Sequence, residues 1–189
     1  MRKVLVSLKP YYYYLVGEGI KKIEVRKTMP RASDWNKEVL FYMSKDVKSF
    51  AKIPKEFQEK YRKHFGKVGM QFVCDRIDEF TQSFFDEQEP RDTEEISFYL
   101  DQFKMSYNEL WHYVVGLKNF YGWHISDLTI YDYPKELSEF YTIDESGNDC
   151  CIACVYHETP LEEMPCRTCT GERKYLYRPP QSWQYVEEL

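Results

Sequence analysis

The chain of 189 residues predicts an α+β fold, a closed or nearly closed mixed β-barrel with short helices at its periphery. Three observations predict it. Strand-like runs are scattered along the whole chain, with only short helical runs between some of them. Their spacing is irregular, and the glycine-rich phosphate turn that opens a regular βαβ sheet is absent. Seventeen Tyr, twelve Phe and four Trp, within an apolar content of 43%, provide a largely aromatic core for one domain. The expectation is a single domain over 1–189, with a helical insertion at about 85–118 and a cysteine-bearing insertion at about 148–171.

The elements follow in order. Residues 4–8 read as a buried strand. Tyr11 to Val16 lacks strand alternation and follows Lys9-Pro10. Proline is favourable at a first helical position, where its missing N–H has no partner to lose. A short helix ending near Gly17 or Gly19 results. Residues 20–26 and 38–44 are strands, joined by a polar loop containing Pro30, Ser33 and Asp34. Residues 55–65 are a helix that starts after Ile53-Pro54 and stops at Gly66, with Phe57, Tyr61 and Phe65 on one face. Residues 67–74 form a strand, and 93–103 and 107–115 form two helices. The second opens on Ser106-Tyr107-Asn108-Glu109, a capping-box pattern. Residues 122–130 return to strand, and Tyr175 to Val186 gives two short strands broken at Pro179-Pro180.

The formal net charge of −5 argues against broad, non-specific binding of duplex nucleic acid. The charge is segregated, however. From Lys45 to Lys67 there are eight Lys or Arg against three acidic residues, whereas from Asp75 to Asp101 ten acidic residues face two Arg. Two solvated helices would explain this, and so would two electrically distinct faces. No apolar run approaches the roughly 18 residues of a membrane span. Met1-Arg2-Lys3-Val4-Leu5 lacks the apolar stretch of a signal peptide, so a cytoplasmic protein is expected. Its cysteines then read as thiols or metal ligands before disulfides.

Cys151-Ile152-Ala153-Cys154 and Cys166-Arg167-Thr168-Cys169 make two CxxC units separated by eleven residues. Each such turn places two thiolates on one knuckle, and two knuckles close a tetrahedral site. The segment has little apolar content of its own and needs a staple. Structural zinc on Cys151, Cys154, Cys166 and Cys169 is the expectation, with a redox pair or free thiols as competing readings. Cys150 or His157 would serve as a substitute ligand. Cys74 reads as a buried strand residue.

The most informative run lies near the start: Lys9-Pro10, then Gly19-Ile20-Lys21-Lys22-Ile23-Glu24-Val25-Arg26. Strand alternation puts Lys22, Glu24 and Arg26 on one face and Lys21, Ile23 and Val25 on the other. Charge on both faces is unfavourable in a core strand unless it lines a wet cleft. The alternatives are an ion pair of Glu24 and Arg26 bracing the strand, and a solvated Lys21 whose removal has little effect on stability.

These residues resemble the signature of the ASCH family, whose members are similar to the PUA fold of RNA-modifying enzymes. The likeness runs through Val4-Leu5-Val6-Ser7-Leu8-Lys9-Pro10, Gly19 to Arg26, Val39-Leu40-Phe41-Tyr42-Met43-Ser44 and Gly66-Lys67-Val68-Gly69-Met70-Gln71-Phe72. It continues in Trp123-His124-Ile125-Ser126-Asp127-Leu128 and Pro179-Pro180-Gln181-Ser182-Trp183. It is nearest to the longer members of phages and prophages, which often carry a cysteine-rich insertion. The resemblance implies a PUA-like barrel with a small zinc-knuckle-like insertion and a cleft that takes RNA or a nucleoside. By motif, Lys9, Lys21, Glu24 and Arg26 belong to that cleft, and less directly Tyr42, Ser44, Trp123, His124, Ser126 and Trp183. Lysine and arginine hold phosphates or polarise carbonyls, tyrosine and tryptophan stack on exposed bases, and a glutamate accepts from an exocyclic amine. For His124 a half-buried, hydrogen-bonded role competes, and for Trp123 and Trp183 core packing.

Three functions are therefore expected as rivals. The first is a module binding single-stranded RNA, a nucleotide or a modified nucleoside. The second is a hydrolase with Lys21 and Glu24 as catalytic residues. Some similar family members are amidohydrolases of 4-acetylcytidine that use a lysine, a threonine and a glutamate. Lys21 matches the lysine, but Glu24 stands where the threonine is, Thr28 and Ser44 are not at the matching position, and the family's glutamate is not placed in this chain. Ribonuclease activity is also reported in the family, and no nucleophile-and-base pair for it maps here. The third is an accessory protein of phage or prophage type whose acidic 75–101 region binds a protein partner.

Overall fold

The computed structural model describes residues 2–30, 37–85, 93–142, 176 and 178–188. Its strands are β1 (Lys3–Leu8), β2 (Ile23–Arg26), β3 (Glu38–Met43), β4 (Val68–Val73), β5 (Ile77–Thr81), β6 (Asn119–His124), β7 (Ser126–Lys135), β8 (Phe140–Thr142) and β9 (Trp183–Glu188). Its helices are α1 (Pro10–Gly17), α2 (Val47–Phe50), α3 (Lys55–Arg62), α4 (Thr93–Phe103) and α5 (Tyr107–Val114). The class is the expected one: mixed sheets with few, short helices.

Six strands form one sheet in the order β7-β4-β3-β1-β9-β8, and three form another in the order β2-β6-β5. Among the described strands only β1 and β3 pair in parallel; the other pairs are antiparallel. β1 is central, and Val4, Leu5 and Val6 are all fully buried because both faces of the sheet are covered. Val4, Val6 and Leu8 join Val39, Phe41 and Met43 in the main core under α1 and α3. Leu5, Leu40 and Tyr42 face the opposite side, against Leu137, Phe140 and Val186. Such a strand reads as a continuous apolar run rather than an alternating one. A third core packs Ile23 and Val25 of β2 against Phe80, Phe103, Leu110 and Phe120, which seats α4 and α5 on the smaller sheet.

Several boundaries differ from the sequence expectation. The strand expected at 20–26 begins only at Ile23. The strand expected at 122–130 is two, β6 and β7, parted at Ile125, where the chain passes from the smaller sheet to the larger. Its backbone is held across that corner by Ile125 N–H to Lys22 O at 3.0 Å. β5 was not expected, because Ile77-Asp78-Glu79-Phe80-Thr81 lies on a sheet edge and Phe80 is its one buried residue. The helix at 55–65 ends at Arg62, and the chain's end gives one described strand, β9. The capping box of α5 forms as expected: Ser106 Oγ accepts from Glu109 N–H at 3.3 Å, and Glu109 Oε2 accepts from Ser106 N–H at 2.8 Å.

Candidate functional site

The site grows from the turn between α1 and β2. Gly19 takes φ 66°, a left-handed conformation that glycine adopts without steric penalty. The N–H groups of Ile20 and Lys21 then both bond to Leu15 O, at 2.8 and 2.9 Å. Lys21 therefore precedes the strand, and strand alternation does not apply to it. Its side chain lies on the same side as Glu24, not opposite as alternation alone predicts.

Lys21 Nζ is 3.4 Å from Glu24 Oε2, and Arg26 Nη2 is 3.0 Å from Glu24 Oε1, so one carboxylate bridges two cations. Each cation is also fixed by backbone. Lys21 Nζ donates to Phe103 O at 2.6 Å, a carbonyl at the C-terminal end of α4. Arg26 donates to Ser7 O at 2.9 Å and to Ser182 O at 3.2 Å, tying β2 to β1 and to the approach to β9. Arg26 Nε is buried without a hydrogen-bond partner among the described residues. The three side chains belong to residues only 2, 6 and 5% exposed. This corrects the solvated reading of Lys21. Burial pushes its ammonium below the usual lysine range, opposed by Glu24.

These groups line a cleft of about 550 Å³. Lys9 and Tyr12 border it on the α1 side, and Asn108, Glu109, His112 and Tyr113 border it on the α5 side. The Lys21 ammonium lies 5.5 Å from the Tyr12 ring centroid. Burial, then the carboxylates of Glu109 and Glu24, push the Tyr12 phenol up to about 12, so it remains a donor at neutral pH. Burial likewise raises Tyr113. The cleft is thus bordered by two aromatic rings, by the exposed Lys9 and by a buried carboxylate shared between two cations.

No family model matches this chain, and no curated protein does. Solved structures do. The chain is similar to ASCH from Zymomonas mobilis, with a TM-score of 0.55 and 14% identity, over 98% of this chain and 87% of that one. The chain has the ASCH fold. A tyrosine-to-phenylalanine form of the same Zymomonas protein gives a TM-score of 0.55 at 14% identity, over 98% and 90% of the two chains. A serine-to-alanine form gives 0.51 at 13%, over 98% and 88%.

Within this ASCH fold the four residues placed by the main motif, Lys9, Lys21, Glu24 and Arg26, come together at the cleft. The other six do not line it. Tyr42 is buried on the far face of the large sheet. Ser44 follows β3, with its amide bonded to Leu8 O at 2.8 Å. Trp123 stands opposite Glu24 in the β2–β6 register but is fully buried in the main core. His124 Nε2 is 2.7 Å from Asp78 Oδ2, an oxygen that also takes Arg76 Nη2 at 2.8 Å. Ser126 Oγ donates to Val73 O at 2.7 Å, and Trp183 Nε1 donates to Thr28 Oγ1 at 2.9 Å. Sequence reasoning missed Tyr12, Tyr113 and the α5 wall. Tyr12 carried a weak signal, as part of the aromatic run after Pro10; α5 carried none, because only packing brings it to β2.

Cys150, Cys151, Cys154, His157, Cys166 and Cys169 lie outside the described residues. Among the described residues no group of three or more His, Cys, Asp or Glu is placed to hold a metal. No described helix is long and apolar enough to cross a membrane.

Proposed function

We propose that this chain is a binding module for RNA or a modified nucleotide, which enters the cleft with its base between Tyr12 and Tyr113. One observation carries the reading: the buried Lys21–Glu24–Arg26 group lies on an open cleft of about 550 Å³ bordered by those two tyrosines. A stacked base draws on the rings, its phosphate meets the exposed Lys9 at the cleft's edge, and the buried Lys21–Glu24–Arg26 group sets the charge of the cleft wall. The ASCH fold supports this reading. The test is the affinity of a labelled single-stranded RNA, measured by fluorescence anisotropy, for Tyr12→Ala and Tyr113→Ala. Both rings are half-buried, so the variants fold, and each loses about 1–3 kcal/mol of binding. Unchanged affinity in both variants overturns the reading.

A second reading is supported by the 3.4 Å contact between Lys21 and Glu24 and by the depressed Lys21 ammonium: a hydrolase in which the pair exchanges a proton. Incubation with 4-acetylcytidine and with RNA separates it from the first. Turnover that disappears in Lys21→Met supports the hydrolase, and the absence of turnover in the wild type excludes it for those substrates.

A further inference from the structure

The eight cations between Lys45 and Lys67 fall into two groups. Lys60 pairs with Glu18 at 2.5 Å, Arg62 with Glu59 at 3.5 Å and Lys67 with Glu136 at 2.8 Å, and Lys63 donates to Asp132 O at 3.0 Å. Lys45, Lys48, Lys52 and Lys55 are all exposed and have no ion pair or side-chain hydrogen bond among the described residues.

The fold puts this unpaired group next to the cleft. β1 and β3 are parallel with Leu8 opposite Met43, so both strands end at one edge of the sheet. Lys9, at the cleft, and Lys45 leave from that edge together. α2 then packs on the start of α1, where Ser49 Oγ accepts from Tyr11 N–H at 3.1 Å. Asp46 caps α2, accepting from Ser49 N–H at 2.9 Å. Lys52 reaches the opposite wall electrostatically. The Glu109 carboxyl is held low first by its hydrogen bonds from Ser106 and then, against burial, by Lys52.

We propose that Lys45, Lys48, Lys52 and Lys55 form a phosphate track for single-stranded RNA, holding the nucleotides that flank the one in the cleft. The proposal rests on the cleft reading above and extends it from one nucleotide to a strand. Lysines suit such a track, because a compact charge on a long stem contacts phosphates without reading sequence. The segregated charge is consistent with it: in a chain of net charge −5, four exposed lysines without an ion pair among the described residues lie within one short stretch, Lys45 to Lys55.

The test uses the full chain, a labelled single-stranded RNA of about eight nucleotides and a mononucleotide competitor, across a range of salt. The variants are the combined Lys48→Gln, Lys52→Gln and Lys55→Gln protein and, separately, Tyr12→Ala. The triple variant should bind the RNA about tenfold or more weakly at low salt, with its log–log salt slope shallower by about 2, and should bind the mononucleotide like the wild type. Wild-type RNA affinity and slope in the triple variant, with Tyr12→Ala still weakened, overturn the track and leave the cleft reading standing. A triple variant that loses RNA while Tyr12→Ala keeps it overturns the cleft reading and, with it, a track that serves the cleft. No RNA binding by the wild type overturns both.

Discussion

Glu24 lies between Lys21 and Arg26 in a region nearly closed to water, and this sets what each side chain can do. Removing one member of a buried ion group leaves the others uncompensated, at a cost of about 3–5 kcal/mol. Lys21→Ala also strands the Phe103 carbonyl. Because Arg26 still neutralises Glu24, a loss near the lower end is expected, about 3 kcal/mol, measured by denaturant unfolding. A change under about 1 kcal/mol would instead mark a solvated lysine. Lys21, Glu24 and Arg26 were legible because charge in an apolar strand context demands an explanation, whereas Lys9 was placed only by the resemblance to the ASCH motif. Trp123, His124 and Trp183 were less so, since a half-polar aromatic serves a core or a cleft equally well and only the packing tells them apart.

Among the elements, β4 shows how one residue sets a surface. Val68 faces the far side of the large sheet, while Met70 and Phe72 face the main core, although all three share one parity. The register shifts there: Phe41 pairs with Met70 and Tyr42 with Val68, so Gly69 is the extra residue of a bulge. A Cβ on Gly69 would stand 2.0 Å from His64 Nδ1 and 2.6 Å from the Tyr13 hydroxyl, both in buried side chains. Gly69→Ala is therefore expected to lose about 1–3 kcal/mol by overpacking, read as a lowered unfolding midpoint. An unchanged midpoint would mean that His64 and Tyr13 shift freely. The cysteine pairs make a separate prediction from spacing alone. Metal analysis of purified protein should find about one zinc per chain, and Cys151→Ser should lower it while the sheets keep their unfolding transition. Folded protein free of metal would end the zinc assignment.

For the whole molecule, charge and burial give two further expectations. A net charge of −5 leaves only local basic surface for nucleic acid, so single-stranded RNA should bind better than duplex DNA, with a salt slope of roughly 0.7 per contacted phosphate. Selective duplex binding in the same titration would contradict this. The second concerns acid. Burial first, then Lys63 and Lys60, push His64 down from 6.5 to about 4. The unfolded chain takes up that proton below about 6.5, and the folded chain resists until about 4. His64 thus contributes stability above pH 6.5 that is lost as the pH falls toward 4, about 3 kcal/mol in all. His64→Gln should flatten the decline in stability between those two values, measured by denaturant titration at each pH; an equally steep decline would assign the acid sensitivity elsewhere.

The sequence by itself determined the α+β class, the order of most elements, the capping of α5 and the charged run from Lys21 to Arg26. Each of these is encoded locally, in apolar periodicity, a proline or glycine at a terminus, or charge out of place in a strand. Only the tertiary structure decided that Lys21 stands beside Glu24, that α5 walls the cleft with Tyr113, and that Lys45 emerges next to Lys9. Those placements depend on a left-handed turn, on helix packing against a second sheet and on two parallel strands ending together. Contacts between residues distant in the chain set all three, and no local pattern carries them.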